Sequence, residues 1–301
     1  MDKLKSFKSS SIFLPLVALA ILVIFNIIFV PGFLDVEITQ DGRLYGRVFD
    51  ILNRSSSLII LSLGMTFVIA TAGIDISVGA VVAISGAVCC SLIGGRGDGV
   101  AEYPMVVAMI AAIATGVVCG MWNGFLVAKI KIQPMVVTLI LMVAGRGIAQ
   151  LLTEGQIITV YYAPFSYIGG NIPGNIIPSP IIIAILMIAL VVFILKKTSL
   201  GLFIQSVGIN PTASRYAGIN VALIIFLVYA FSGFCAGVSG LIESSLIRAA
   251  DANNAGLNME MDAILAVALG GTLLSGGKFY IGGSIIGAIT IQTLTTTMYA
   301  M

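Results

Sequence analysis

MVVAMIAAIATGVVCGMWNGFLVA, residues 105–128, runs from Pro104 to Lys129 without a charged side chain. As a helix rising ~1.5 Å per residue it would be about 36 Å long, enough to cross the ~30 Å hydrocarbon core of a bilayer. Similar runs lie on either side of it, at Ile12 to Val30, 56–72, 76–95, 134–152, 178–195, 221–242, 259–275 and 279–300, which makes nine candidate spans. Over the 301 residues, 59% are apolar and 9% charged, and the mean hydropathy is +1.12. A soluble domain carries about 25% charged residues, so this chain has too few to cover a water-facing surface. A soluble enzyme, a disordered regulator and a nucleic-acid-binding module are excluded, and a net charge of +2 is too small to attract a polyanion. The chain has no histidine, which removes histidine acid–base catalysis and the usual zinc chemistry. The expected fold class is all-α and polytopic, with about nine transmembrane helices in one transmembrane domain spanning residues 1–301.

Basic residues set the orientation. Lys3, Lys5 and Lys8 precede the first run, which is too long for a signal-peptide core and has no small-x-small cleavage site after it. It therefore reads as the first span, with a cytoplasmic N-terminus. When the spans alternate from there, all eight lysines fall inside: Lys3, Lys5, Lys8, Lys129, Lys131, Lys196, Lys197 and Lys278. Arg215 joins them, while Arg43, Arg47, Arg54, Arg96 and Arg248 fall outside and Arg146 lies in a span. Such an excess of inside lysine is the positive-inside distribution. Only Gly73-Ile74-Asp75 divides 56–72 from 76–95, which allows either two crossings with a tight turn or one broken helix. An odd number of spans puts the C-terminus outside, where the chain stops at Tyr299-Ala300-Met301 with no polar tail. A following segment is therefore expected to be missing.

Cys89, Cys90, Cys119 and Cys235 all sit in apolar runs, as small hydrophobes rather than a disulfide framework or a metal site. The 34 glycines point to close helix packing, with Gly116, Gly120 and Gly124 in one stripe and Gly233-x-x-x-Gly237 and Gly283-x-x-x-Gly287 as further seams.

The longest cytoplasmic break, 196–220, has structure of its own. Leu200, Phe203, Ile204 and Val207 recur at helical spacing on one face. Asn210 suits an N-cap, Pro211 the first helical position and Gly218 the left-handed residue past the end, so a short helix is expected at 211–217. Such an element is either a surface loop lying on the membrane or a docking element for a cytoplasmic partner.

Gly208-Ile209-Asn210-Pro211-Thr212-Ala213, followed by Ala217-Gly218-Ile219-Asn220, resembles the cytoplasmic coupling loop of permease subunits of bacterial ABC sugar importers. These ribose- and galactose-type permeases are in turn similar to branched-chain amino-acid permeases. The likeness extends to Gly64-Met65-Thr66, to Gly73 through Gly79, to Trp122-Asn123-Gly124, to Ile132-Gln133-Pro134 with Thr138-Leu139, and to Gly145-Arg146-Gly147. In detail the chain looks most similar to galactofuranose permeases, on the block Arg248 to Leu257, on Asp262 to Val267, and on Asp41 to Leu44 with Asp50 to Arg54. The resemblance covers about residues 40–296. It implies a non-catalytic translocation subunit of the inner membrane with no cofactor of its own. The implied partners are a cytoplasmic ABC ATPase, a second permease (identical or different), a periplasmic sugar-binding protein and the lipid bilayer, with no nucleic acid. The coupling positions would be Leu200, Phe203, Val207, Gly208, Asn210, Pro211, Ala213 and Gly218. In the family pattern one more span follows, making ten, so the last helix is expected to be absent here.

Residue chemistry agrees that ATP is hydrolysed elsewhere. Thr272-Leu273-Leu274-Ser275-Gly276-Gly277-Lys278-Phe279 lacks the first glycine of a P-loop and the Ser/Thr after its lysine. Gly95-Arg96-Gly97-Asp98-Gly99 has the wrong spacing for a dinucleotide fingerprint.

Polar groups inside spans must face partners or water. Arg146, Gln150 and Glu154, spaced four apart, are expected on one face at the outer end of the fifth span. That face either snorkels to the interface or lines a vestibule that hydrogen-bonds sugar hydroxyls. Asn123 reads as an interhelical hydrogen-bond partner or a sugar contact, and Asp75 as a turn residue capping the helix at Ser77, in a structural turn with Gly73 and Gly79. Asp251, Asn253 and Asn254 form an outer polar cluster that meets the binding protein or the sugar, or is an ordinary loop. Candidate substrate-path residues are Asn123, Thr138, Arg146, Gln150 and Asn254. The expected function is ATP-driven import of a monosaccharide of galactofuranose, galactose or ribose type. The alternatives are a sister permease for another small solute such as an amino acid, and an ion-coupled secondary transporter, for which Asp75 would be the strongest mid-membrane carboxylate.

Overall fold

The computed structural model describes residues 13–35, 37–38, 44–94 and 101–300. Lys3, Lys5, Lys8, Asp41, Gly42, Arg43, the stretch 95–99 with Arg96, and Met301 lie outside the described residues. The described chain is all-α and polytopic. Its helices are α1 (Phe13–Phe29), α2 (Arg47–Ala70), α3 (Val78–Ile93), α4 (Met105–Phe125), α5 (Pro134–Leu152), the single turn α6 (Ser166–Gly169), α7 (Ser179–Lys197), α8 (Leu200–Ile209), α9 (Pro211–Tyr216), α10 (Val221–Ile247), α11 (Met259–Leu269) and α12 (Ile281–Ala300). Two-residue strands make two small antiparallel pairs, β1 (Glu37–Ile38) with β2 (Leu44–Tyr45) and β3 (Ile158–Thr159) with β4 (Ala249–Ala250).

Among the described residues five helices are long and apolar enough to cross a membrane: α2, α4 with its π-helical continuation to Ile130, α5, α7 and α10. The apolar α1 and α3 are shorter, at 17 and 16 residues. Large apolar side chains stand exposed along the outer helices, among them Ile110 and Val118 on α4, Ile140 and Val143 on α5, and Leu186 and Phe193 on α7. In water such a belt would drive aggregation; against hydrocarbon it matches its solvent.

The 27-residue α10, about 40 Å long, is the axis of the bundle. Asn220 caps its start, its side chain accepting from the Leu223 N–H at 3.1 Å. Along α10 two glycine stripes interlock: Gly116 and Gly120 of α4 face Gly233 and Gly237 of α10, and Gly124 lies against the backbone of Phe226. A Cβ on Gly116 would stand 2.5 Å from the Gly233 carbonyl oxygen, and one on Gly233 would be within 2.8 Å of the Gly120 backbone. The expected seams are therefore real backbone-to-backbone contacts.

The ambiguity around Asp75 resolves into a chain reversal. Ser57 and Gly64 of α2 face Ser239 and Ser232 of α10, so α2 runs antiparallel to the axis. Asp75 then faces Ser232 and Gly86 faces Ser244, so α3 runs parallel to it. The two helices are joined by the turn Thr71–Ser77 and flank α10 rather than forming one interrupted rod.

At 259–275 the structure departs from the expected span. Helix α11 stops at Leu269 after 11 residues, about 16 Å, roughly half the thickness of the hydrocarbon core. Gly270 packs so closely on α12 that a Cβ there would come within 2.5 Å of the Gly283 carbonyl carbon, and Gly271 turns the chain at φ 86°. Asn26 of α1 donates to Thr297 of α12 at 2.7 Å, a buried polar bond between helices at opposite ends of the chain.

Candidate functional site

Three levels of polar or close-packed structure lie along α10. The lowest is cytoplasmic in the lysine-based orientation. There 196–220 forms a helix–turn–helix, α8 and α9. Asn210 caps α9 as expected, its Oδ1 accepting from the Ala213 N–H at 2.9 Å, with Pro211 in the first turn and Gly218 at φ 86°. Ile204, Val207 and Gly208 of α8 are buried, while Leu200 and Phe203 pack at the edge of the core. Gly208 is the tightest point. The Ala70 carbonyl at the end of α2 accepts the Gly277 N–H at 2.8 Å, and a Cβ on Gly208 would run into that carbonyl and within 2.6 Å of the Gly277 nitrogen. Three inner segments thus meet at one backbone contact. Beside it an apolar crevice of about 190 Å³ separates α8 from Phe67, Leu195 and Phe231.

The middle level is a buried hydrogen-bond node at the Asp75 turn. Asp75 Oδ1 accepts from the Ser77 hydroxyl at 2.6 Å and the Ser77 N–H at 3.1 Å, and Oδ2 accepts from the Ser232 hydroxyl at 3.0 Å. The carboxylate thus caps the start of α3. Asn123 donates from α4 to Ser77 Oγ at 2.9 Å, the interhelical role expected for it. Thr138 of α5 donates to the Ile74 carbonyl at 3.3 Å. Among the described residues the Tyr229 hydroxyl and Asn123 Oδ1 are buried without a partner. Replacing any one donor would leave acceptors orphaned at about 1–3 kcal/mol each, which fixes this turn against α10.

On the outer level Arg146 and Gln150 share a face of α5 but meet protein. Arg146 donates to the carbonyls of Ala252 and Ala255, and Gln150 to Asn253 Oδ1 at 2.8 Å, so this face clamps the 249–258 loop. Glu154 is not on it. The helix ends at Leu152, and Glu154 stands beyond it with φ 52°. Within the loop Asp251 accepts from the Asn254 side chain at 2.7 Å and from the Asn253 and Asn254 N–H groups. The Asn254 amide first, then those backbone donors and Arg146, hold the Asp251 carboxyl below the usual carboxylate range, so it stays ionised at neutral pH.

Behind the loop opens a cavity of about 480 Å³, within the ~300–1,000 Å³ range of ligand pockets. Its polar lining comes from five segments: Asn53 and Arg54 of α2, Glu243 of α10, Asn254 of the loop, Asp262 of α11, and Gln292 and Thr295 of α12. Of the five candidate path residues it brings in only Asn254. Glu243 and Gln292 were not among the candidate residues, although a carboxylate directly after the apolar 221–242 run was a visible signal.

A family model described as a branched-chain amino acid transport system / permease component matches residues 47–301. The chain belongs to this permease family. It is 48% identical to the galactofuranose transporter permease protein YtfT of Escherichia coli K12, over 93% of this chain and 80% of that protein. Similarity also extends to the fructose import permease protein FruF of Bifidobacterium longum, at 38% over 99% of this chain and 83% of that one. The ribose import permease protein RbsC of Escherichia coli K12 is 37% identical over 82% of this chain and 76% of that protein. No solved structure matches. The chain is therefore a multi-pass membrane permease component, with residues 196–220 folded as α8 and α9 and a cavity between α2, α10, α11 and α12.

Proposed function

We propose that the permease carries a monosaccharide, of galactofuranose type first and ribose or fructose type next, into the cell across the bacterial inner membrane. ATP is hydrolysed by a separate cytoplasmic ABC subunit, a periplasmic binding protein delivers the sugar, and a second permease, identical or homologous, completes the pathway. The sugar permeases among its relatives support the substrate class. One observation carries the coupling: residues 196–220 form a capped helix pair whose Gly208 bears directly on Ala70 and Gly277. Leu200, Phe203 and Val207 seat α8 on the core, while Asn210, Pro211, Ala213 and Gly218 shape the exposed α9, where an ATPase would dock. A push on α9 is then passed to the end of α2 and to the α11–α12 connection, two segments that also wall the outer cavity at their far ends. A partner can bias only states that it contacts differently, and this shared contact gives it that purchase. In the path itself Asn254 lines the open cavity and Arg146 and Gln150 clamp the loop that carries it, whereas Asn123 and Thr138 hold the Asp75 turn. Asp75, enclosed by Ser77 and Ser232, with Gly73 and Gly79 on either side, is a structural turn.

Asn210→Leu and Gly218→Leu test this reading in the complete transporter. Loss of the cap costs about 1 kcal/mol of α9 stability, and leucine at φ 86° is strained. Uptake should fall by about fivefold or more, while ATP hydrolysis stimulated by the loaded binding protein persists. Uptake and hydrolysis that remain in the wild-type ratio would contradict the coupling assignment.

A further inference from the structure

The outer cavity combines three features that a wall built only for packing would not need. Its lining sets the amides of Asn53, Asn254 and Gln292 against the carboxylates of Glu243 and Asp262. Asn53, a lining residue, has its Oδ1 buried with no hydrogen-bond partner among the described residues, an acceptor left unsatisfied at the cavity wall. Among the described lining residues two carboxylates, Glu243 and Asp262, stand against one cation, Arg54, which bonds Asp50 through Nε at 3.2 Å and also acts on Glu243, so the lining keeps a net negative charge.

Amides and carboxylates suit the vicinal hydroxyls of a sugar, since each hydroxyl both donates and accepts and a carboxylate accepts from two at once. A net negative charge in a low-dielectric cleft repels an anion. We propose that this cavity is the entry site for the imported sugar, and that Glu243 and Asp262 select a neutral polyhydroxylated sugar over a sugar phosphate or sugar acid. The proposal rests on the import reading above and adds the place of entry and the charge class of the solute. It also assigns Glu243, Asp262, Asn53 and Gln292 a contact with substrate. All the lining segments lie at ends that the lysine distribution places outside, so the cavity opens toward the periplasm.

Cysteine chemistry can test it in the assembled transporter, reconstituted with its ATPase and binding protein. Cys89, Cys90 and Cys235 are buried and Cys119 is half-buried, so Cys119→Ser provides a quiet background. In that background Thr295→Cys should react with membrane-impermeant methanethiosulfonates added from the periplasmic side. Full modification should lower uptake by about tenfold while ATP hydrolysis continues. The rate ratio of the cationic to the anionic reagent should exceed that of a free thiol by about tenfold, and should return toward it in Glu243→Gln/Asp262→Asn. Should Thr295→Cys fail to assemble, Gln292→Cys carries the same expectations. No reaction from the periplasmic side, complete reaction with uptake unchanged, or a charge ratio equal to that of a free thiol would each overturn the proposal. Absence of ATP-dependent uptake before any modification would instead refute the import reading, so the two failures are distinct.

Discussion

Gly208→Val should separate the two halves of the transport cycle. The added side chain would strike the Ala70 carbonyl and the Gly277 N–H, both backbone, so neither can swing away as a flexible side-chain end could. Helix α8 must then back off from α2 and break the Gly277-to-Ala70 hydrogen bond at its centre. The exposed α9 is untouched, so the ATPase should still bind and hydrolyse ATP. In proteoliposomes, ATP consumed per sugar taken up should rise by about tenfold or more, the scale of a coupling energy of about 1.4 kcal/mol or larger. Gly208→Ala should show the same change in weaker form. Parallel assays of phosphate release and labelled-sugar uptake read the ratio directly.

Gly233→Leu should act earlier, on folding in the membrane. Gly233 and Gly120 lie backbone to backbone at the centre of the α4–α10 seam, where a single Cβ already finds no space. Small residues let membrane helices approach closely enough for dispersion to hold them together. A leucine would wedge apart the seam on which α2 and α3 also depend through α10. Overpacking costs of about 1–3 kcal/mol hold where side chains can yield; here the opposing atoms are backbone and the effect should lie above that range. The expected result is loss of most of the monodisperse peak when the detergent-solubilised protein is run by size exclusion. Gly287→Leu should disturb only the α11–α12 seam, where Gly287 meets Ala266, and should leave more of the peak.

Features set by neighbouring residues were legible in the sequence, and features set by distant ones were not. Asn210, Pro211 and Gly218 announce α9 because capping, a fixed φ and a left-handed exit are local chemistry. Apolar runs located the long helices for the same reason. By contrast, 259–275 reads as one apolar run, yet its helix ends at Leu269, where Gly271 turns the chain at φ 86° and Gly270 packs against Gly283, thirteen positions on. Arg146 and Gln150 do share a face, as spacing four implies, but their carbonyl and amide partners lie about a hundred residues away in the 252–255 loop. Glu154 falls off that face because α5 stops two residues earlier. The outer cavity was the least visible feature, since Asn53, Glu243 and Gln292 lie far apart in the sequence and only the packing of α2, α10 and α12 brings them together.

The most direct test of the whole account is labelled-sugar uptake into proteoliposomes that hold the complete transporter and loaded binding protein, with hydrolysable ATP or a non-hydrolysable analogue on the cytoplasmic side. The account predicts accumulation against the gradient with ATP and none with the analogue, whether or not a proton gradient is imposed. Accumulation driven by the proton gradient with the analogue present would contradict it.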